Sequence, residues 1–271
     1  MEQQLKQALI AIKGVKIPDL PKEVLELDEQ LSSRFPNNQT ITGIIQSNTK
    51  LSGEVLRLVN SPVVKTTHPV KTIRDAVDIL GYTNLKNLVL ASALQNLFNT
   101  TQVNEIIEHS KDVAFCCAEL SDLVQGVSRD EAYLVGLFHN AGALLLTSKD
   151  AEYLKMFAQF NTHPVTTLSK ELAQYGSNHT FVGILIGQKW RLSIDVLNAI
   201  MTHHMPCSDI KNDDVRAMVA MIKVANMVVN EVAYDRFMSQ EAEGYLKDGQ
   251  EELMITDEQV QAVRKALMTA G

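Results

Sequence analysis

The segment Ala132-Tyr133-Leu134-Val135-Gly136-Leu137-Phe138-His139-Asn140-Ala141-Gly142 decides the fold of this chain. It belongs to a strongly apolar run over residues 131–146, which predicts a buried helix interrupted only at His139-Asn140. Elsewhere apolar residues recur at intervals of three and four, and sustained alternation with a period of two is hard to find. Short helices with short connections are typical of a compact helical bundle. The sequence therefore predicts an all-α protein.

The composition of the 271 residues excludes several classes of protein. Lys and Arg number 25 and Asp and Glu number 32, so the net charge is −7. A broad nucleic-acid surface is not expected, because such binding needs clustered cations. Apolar residues make up 45% and charged residues 21%, which is typical of a globular chain and not of a disordered one.

Cysteine usage and the absence of targeting patterns suggest where the protein works. Cys116, Cys117 and Cys207 are odd in number and lack a CxxC spacing, which predicts reduced, buried thiols and neither a disulfide framework nor a thiolate zinc site. No apolar run reaches the length of a membrane span, and the N-terminus lacks the pattern of a secretion signal. We expect a cytoplasmic protein with no membrane partner.

Residues 40–59 have the spacing of a helix-turn-helix motif. The second helix of that pair would carry Lys50 and Arg57, but it would also carry Glu54. This is a thin basic face for a phosphate backbone, so we expect no nucleic-acid partner.

Polar side chains on predicted apolar helix faces form the candidate site. Any one of them is explained by a single hydrogen bond in the core, but together they predict a polar pocket within the bundle. Gly136, Gly183 and Gly187 predict close helix packing beside them, since glycine inside a helix costs about 1 kcal/mol relative to alanine. The candidate residues are His109, His139, Asn140, His179, His203, His204 and Asn226.

Residues 132–142 resemble the helix that carries the paired His-Asp of HD-superfamily metal-dependent phosphohydrolases. The rest of the chain resembles the HDOD domain of bacterial signalling proteins, over about residues 15–235. The motifs that carry this resemblance, in the family's order, are Leu20-Pro21, residues 51–56, Leu58-Val59-Asn60-Ser61-Pro62, Ile73, Ala76, Val77, Leu80-Gly81, Tyr175-Gly176, His179, Val182-Gly183, Trp190, Ala199-Ile200 and His203-His204.

The resemblance implies an HD-domain-like multi-helix bundle with an N-terminal helical subdomain. We accordingly divide the chain into an N-terminal helical part of the HDOD domain at residues 1–100 and an HD-like core at residues 101–235. Residues 236–271, which are polar and acidic at first, are expected to form a linker and a final helix.

The resemblance also implies a metal site in the active enzymes, where a first His, the His-Asp pair and a distal Asp hold divalent metal for phosphate-ester hydrolysis. His109 matches the first His and His139 the second, whereas Asn140 and Asn226 stand at the two Asp positions. An amide brings no anionic oxygen to a dication and cannot accept the proton of metal-bound water. We therefore expect no catalytic residue, no hydrolysis and a degenerate site. His179, His203 and His204 match positions of additional ligands in metal-rich relatives.

Two functions follow from the resemblance. The first is a non-catalytic HDOD-type signal-transduction module that acts through protein or small-ligand binding, with a protein partner in a signalling pathway. The alternative is a metal-dependent phosphohydrolase acting on nucleotides or phosphodiesters.

The occupancy of the polar pocket has alternatives of its own. No cofactor is expected, but Zn, Fe or Mn on imidazoles alone stays open, because three histidines can hold zinc. His109 and His139 with one of His179, His203 or His204 would be the ligands. In the competing interpretation, Asn140 and Asn226 hydrogen-bond the neighbouring imidazoles and fix their tautomers.

Overall fold

Helices make up most of the chain, and no strand occurs among the residues that the structure describes. The structure is a computed structural model that describes residues 2–98, 101, 103–160, 162–234 and 239–270. The all-α prediction is confirmed. The chain divides into a small unit, Asp19–Leu97, and a large unit formed by Met1–Pro18 with Phe98–Gly271.

The small unit is a four-helix arrangement in which asparagines begin two of the helices. The side chain of Asn37 accepts a hydrogen bond from the backbone of Thr40, and that of Asn48 accepts one from Leu51, as is usual at helix N-termini. Gly81, with a φ of 70°, interrupts the last helix. The helices are α2 (Lys22–Leu31), α3 (Asn38–Ser47), α4 (Thr49–Val59) and α5 (Ile73–Leu97), in the numbering that begins with α1 of the large unit.

The large unit contains the remaining helices and the first eighteen residues of the chain. Helix α1 packs against α11, and the indole of Trp190 donates to the carbonyl of Pro18 at 3.0 Å. The helices are α1 (Glu2–Ala11), α6 (Asn104–Ser121), α7 (Arg129–Phe138), α8 (Ala141–Lys149), α9 (Tyr153–Phe157), α10 (Pro164–Tyr175), α11 (His179–Lys189), α12 (Ile194–Thr202), α13 (Asp213–Tyr234), α14 (Gln240–Leu253) and α15 (Asp257–Ala270), with a 3₁₀ turn at Cys207–Asp209.

The apolar run over residues 131–146, which is predicted to be one helix with His139-Asn140 as its polar interruption, forms two helices in the structure. Helix α7 ends at Phe138, and α8 begins at Ala141. His139 still donates its backbone N–H to Val135 at 2.9 Å, and the carbonyl of Asn140 accepts the first bond of α8. The break places the two adjacent polar side chains between helix ends, inside the core.

Glycines allow the close helix packing that the sequence predicts. A methyl group at Gly136 would lie 2.6 Å from the Cα atom of Ala114. At Gly187 it would lie 2.4 Å from the side chain of Leu197, and at Gly183 it would lie 3.2 Å from Ile200. Helix α7 therefore approaches the backbone of α6 more closely than a side chain at Gly136 would allow, whereas at Gly187 the side chain of Leu197 would have to move.

The segment expected to be an acidic linker is helical over most of its length. Helix α14 buries Ala242, Tyr245, Gly249 and Leu253, which recur at helical intervals and pack against α13. Glu243 and Glu251 lie on the exposed face, whereas Glu241, Asp248 and Glu252 contact neighbouring elements. The domain boundaries predicted at residues 100 and 235 fall on residues outside the described part of the chain, and the three-part division stays a prediction.

The three cysteines are free and buried, as expected. None of the helices in the described residues has both the length and the apolar character needed to cross a membrane.

Candidate functional site

Polar side chains from several helices of the large unit converge in one place, which we call the histidine cluster. The imidazole rings form a row, with centroids 6.1 Å apart for His109–His139, 5.3 Å for His139–His203 and 4.2 Å for His203–His204. The cluster contains His109 on α6, His139 and Asn140 at the α7–α8 break, His179 at the start of α11, His203 and His204 after α12, and Asn226 on α13. The structure thus brings together all the candidate residues.

The hydrogen bonds of His139 determine its tautomer, that is, which ring nitrogen carries the proton. Its Nδ1 lies 2.6 Å from the carbonyl oxygen of Gly136. A carbonyl only accepts, so Nδ1 carries the proton and Nε2 presents its lone pair. The amide nitrogens of Asn140, at 2.7 Å, and Asn226, at 3.4 Å, donate to that lone pair.

Asn226 links His139 to His109. The Oδ1 atom of Asn226 accepts from Nε2 of His109 at 2.9 Å, and its Nδ2 also donates to the carbonyl of Ile222 at 3.0 Å. These contacts fix the orientation of the amide, because the carbonyl of Ile222 can only accept. The two histidines and two asparagines form a network without a formal charge.

Burial keeps this network neutral. It lowers the pKa of His109 to about 4, although the bond to Asn226 works in the opposite direction. Burial, together with the neighbouring His109, lowers the pKa of His139 to about 3. Both imidazoles are therefore neutral at physiological pH.

The other three histidines form a separate group, which we call the triad: His179, His203 and His204. Nδ1 of His179 lies 2.9 Å from Oε2 of Glu171, and Nδ1 of His203 donates to the carbonyl of Ile200 at 2.7 Å. Both Nε2 atoms therefore present lone pairs, yet they lie only 3.2 Å apart. Nε2 of His204 is also 3.2 Å from Nε2 of His179. Facing lone pairs at this distance repel each other unless a proton or a cation lies between them.

The two halves of the cluster differ in how they fit a metal ion. At His139 the donor set does not fit, because two amide N–H groups already use the lone pair that a cation needs. The triad does fit: the nitrogens of a tetrahedral zinc site with bonds of about 2.0 Å are about 3.3 Å apart. The ligand atoms of His179, His203 and His204 all lie within 4.8 Å of one another. His109 and His139, which the sequence-based ligand set included, do not join this group.

Glu171 and Tyr153, which the sequence analysis missed, lie behind the triad. The Glu171 carboxylate is completely buried and accepts hydrogen bonds from the Tyr153 hydroxyl and from His179. Thr167 and Glu171 are both buried on α10, one turn apart. The signal in the sequence is this acidic side chain on an inward face, but only the fold identifies that face.

A narrow cleft opens beside the cluster. Its cavity volume is about 20 Å³, which is enough for a water molecule. The side chains that line it, among the described residues, include no Asp or Glu. They are His109, His139, Asn140, Phe157, Phe160, Pro164, His203, His204, Asn226, Met227, Asn230 and Tyr245.

Helix α14 closes one side of the cleft. Tyr245 donates its hydroxyl to the carbonyl of His203 at 2.8 Å. Lys223 on α13 is almost fully buried and pairs with Asp248 of α14, and its ammonium also reaches the carbonyl of Met205 at 2.6 Å. The turn that carries His203 and His204 is thus held from both sides.

Comparison with known protein families identifies the family of this chain. The family model of the HDOD domain matches residues 17–206. The chain belongs to the HDOD domain family. The matched range includes His109, His139, Asn140 and the triad, whereas Asn226 lies beyond it, so its equivalence to the distal Asp stays a prediction.

Solved structures of HDOD-like proteins share this fold. An HDOD domain protein of unknown function from Geobacter sulfurreducens is 20% identical, with a TM-score of 0.67 over 100% of this chain and 99% of its own. A Shewanella amazonensis protein described provisionally as a phosphohydrolase is 23% identical, with a TM-score of 0.69 over 97% of this chain and 93% of its own. A Marinobacter aquaeolei protein provisionally named a signal transduction protein is 18% identical, with a TM-score of 0.69 over 99% of this chain and 62% of its own.

A curated relative from Treponema pallidum, an uncharacterized protein, is 23% identical over 97% of this chain. The chain spans about half the length of that relative, 52%.

Proposed function

We propose that this HDOD domain is a non-catalytic regulatory module that acts through protein or small-ligand binding. The observation that carries the proposal is the pair of amide N–H groups on Nε2 of His139. In a hydrolase of the HD type that nitrogen would bind metal. Here Asn140 and Asn226 satisfy it by hydrogen bonding, so the arrangement is complete without an ion.

The chemistry of the cleft supports the same proposal. General acid–base catalysis needs a group that exchanges protons near neutral pH, and burial lowers the pKa values of His109 and His139 to about 4 and 3. No carboxylate lines the cleft among the described residues. The provisional signalling name of the Marinobacter relative favours regulation, and a signalling protein is the expected partner.

The triad is where this domain would hold a cation. His179, His203 and His204 would be its ligands, and the ion would join the start of α11 to the turn after α12. Bound there, it would supply a structural cross-link and an open coordination position for a small ligand. This role is compatible with a regulatory module and needs no hydrolysis.

Turnover distinguishes the module from the alternative, a metal-dependent phosphohydrolase. Purified protein is stripped with a chelator, reloaded separately with Mn²⁺, Fe²⁺ and Zn²⁺, and assayed on chromogenic phosphodiesters and on nucleotides. We expect the rate to equal that of the His139→Ala variant, prepared in the same way. Hydrolysis by the wild type that is lost in His139→Ala contradicts the proposal.

A further inference from the structure

The carboxylate of Glu171 lies immediately behind the triad. Its Oε2 accepts the backbone N–H of His179 at 3.0 Å and the Nδ1–H of the same residue at 2.9 Å. Its Oε1 accepts the hydroxyl of Tyr153. Burial, with the neighbouring Glu171 carboxylate, raises the pKa of Tyr153 well above its usual value, so Tyr153 stays a donor. The Oε2 atom of this buried acid thus accepts two hydrogen bonds from the same residue, His179.

We infer that Glu171 is the positioning residue of a cation site at His179, His203 and His204, with Tyr153 as its support. Glu171 fixes the tautomer of His179, so that Nε2 faces the other two imidazoles. The inference rests on the proposed function, since it assigns the ligand chemistry of the same cluster. Carboxylate–histidine pairs of this kind orient metal-binding imidazoles and raise their basicity.

Charge balance gives Glu171 a second task. Three neutral imidazoles bring no negative charge to a dication, and no carboxylate lines the adjoining cleft among the described residues. Glu171, which is buried, reaches the site through His179 and supplies one compensating charge. An uncharged acceptor of the same shape would keep the tautomer but not this charge.

The donor atoms define the class of ion. Imidazole nitrogens suit Zn²⁺, Cu²⁺, Fe²⁺ and Ni²⁺, whereas Mg²⁺, Ca²⁺ and Mn²⁺ prefer carboxylate and carbonyl oxygens. The three ligand atoms are all imidazole nitrogens, so we assign the site to zinc-class dications. An HD hydrolase site built with two Asp residues would offer oxygen donors, and the two kinds of site are separable by metal preference.

A purely structural role for Glu171 makes a different prediction. Helix α11 is already capped by Asn178, whose side chain accepts the backbone N–H of Phe181 at 3.2 Å. The N-terminus of α11 therefore has a side-chain cap in addition to the bond that Glu171 accepts from the His179 N–H. If it only packed α10 against α11, removal of its charge would change folding and leave the metal affinity of the folded protein unaltered.

The test is the Zn²⁺ affinity of wild type and Glu171→Gln, measured by competition with a chromophoric chelator at pH 7.5. We expect one equivalent in the wild type, lost in His204→Ala, and binding that is 10–100-fold weaker in Glu171→Gln. The visible spectrum of the Co²⁺ form should show the bands of a tetrahedral site in the wild type, and these bands should change in Glu171→Gln. Mg²⁺ should not compete. Circular dichroism of the metal-free variants checks that they are folded.

Asp28→Asn is the matched control, because Asp28 is a buried carboxylate paired with Lys86 in the small unit. Its Zn²⁺ affinity should equal that of the wild type. Equal affinities of wild type and folded Glu171→Gln overturn the inference, as does a wild type that binds no Zn²⁺. Neither result bears on the absence of hydrolysis. Phosphodiester turnover lost in His139→Ala overturns the proposed function and leaves the inference on Glu171 standing.

Discussion

At the residue scale, the amide of Asn140 differs from a carboxylate in one respect that decides the chemistry: it donates a hydrogen bond. The acceptor is Nε2 of His139, which is buried with it. A carboxylate at this position would place two acceptors face to face and bury a charge. The identity of one atom therefore separates a closed network from a metal site.

Asn140→Asp should destabilise the protein at pH 7. The loss should be about 1–3 kcal/mol, since a buried acceptor is left without a donor. Urea unfolding in the presence of EDTA measures it. Asn104→Asp, at an exposed position in the first turn of α6, makes the same chemical change and should have little effect. An Asn140→Asp protein as stable as the wild type would show that the hydrogen bond from the Asn140 amide to His139 does not contribute to stability.

His109 should make the protein sensitive to acid. Burial lowers its pKa in the folded state to about 4 from its usual value of 6.5, so below pH 6.5 the unfolded chain binds more protons. Stability is therefore lost as the pH falls from about 6.5 towards 4. We compare the slope of the unfolding free energy against pH near pH 5 in the wild type and in His109→Gln. Because the variant lacks the titrating group, its slope should be smaller by the contribution of about one proton, or ~1.4 kcal/mol per pH unit. Identical slopes in urea titrations of the two proteins would contradict this.

At the element scale, backbone proximity between helices places the histidines. A methyl group on Gly142 of α8 would lie 1.9 Å from the carbonyl oxygen of His179 and 2.6 Å from the backbone nitrogen of Gly183. Both atoms belong to the backbone of α11, which cannot give way as a side chain can. The start of α11, and with it His179, is therefore set by contact with α8.

Gly142→Ala should disrupt this contact and destabilise the protein by about 3 kcal/mol or more. Gly53→Ala is the control: Gly53 lies within α4 and a methyl group there meets nothing within 4 Å. That substitution should instead stabilise the protein by about 0.5–1 kcal/mol, from helix propensity alone. Thermal unfolding of the two variants measures both effects, and shifts in the same direction would contradict the packing argument.

Glu241 provides a cap for a helix other than its own. Its carboxylate accepts the backbone N–H groups of Val165 and Thr166 at 2.6 and 2.8 Å. Partial burial opposes ionisation, but these bonds and that of the Thr166 hydroxyl hold the pKa of Glu241 below its usual value. Helix α14 thus fixes the first turn of α10, the helix that carries Glu171.

Glu241→Ala should cost about 1 kcal/mol, the usual value of an N-terminal cap. The amide hydrogens at the start of α10 should exchange faster with solvent. Glu243→Ala lies in the same first turn of α14 on its exposed side and should change neither quantity. Unaltered exchange in Glu241→Ala would show that α10 begins without help from α14.

At the scale of the whole molecule, the net charge of −7 governs how the protein meets other macromolecules. The pair α3–α4 has the length of a helix-turn-helix motif, but Arg57 is engaged by Glu54 at 2.8 Å on the same helix. Neither feature favours a polyanion.

The protein should therefore give no gel shift with duplex DNA at about 100 mM salt. Lys50→Gln, which removes a cation from the first turn of α4, should make no difference. Binding that weakens steeply with added salt would instead reveal phosphate contacts and restore DNA recognition as a function.

Local chemistry explains which features could be predicted from the sequence. Helical periodicity depends on neighbours within a turn or two of the chain, and so does the apolar run that His139-Asn140 interrupts. The glycines indicated close packing because their cost in a helix needs compensation. The seven candidate residues were found because each is a polar residue on a predicted apolar helix face. The replacement of the His-Asp pair by His139-Asn140 can be read directly from the sequence.

The remaining features depend on distances between residues that are far apart in the chain. His179 and His203 are separated by 24 positions, yet their Nε2 atoms lie 3.2 Å apart, and no local pattern encodes that distance. The same holds for Glu171 behind His179 and for Glu241 at the start of α10. The sequence alone determined the helical fold, the family resemblance and the missing carboxylates. Only the tertiary structure decided that the imidazoles divide into an amide-closed pair and a triad suited to one cation, because hydrogen-bond direction and interatomic distance exist only once the helices are packed.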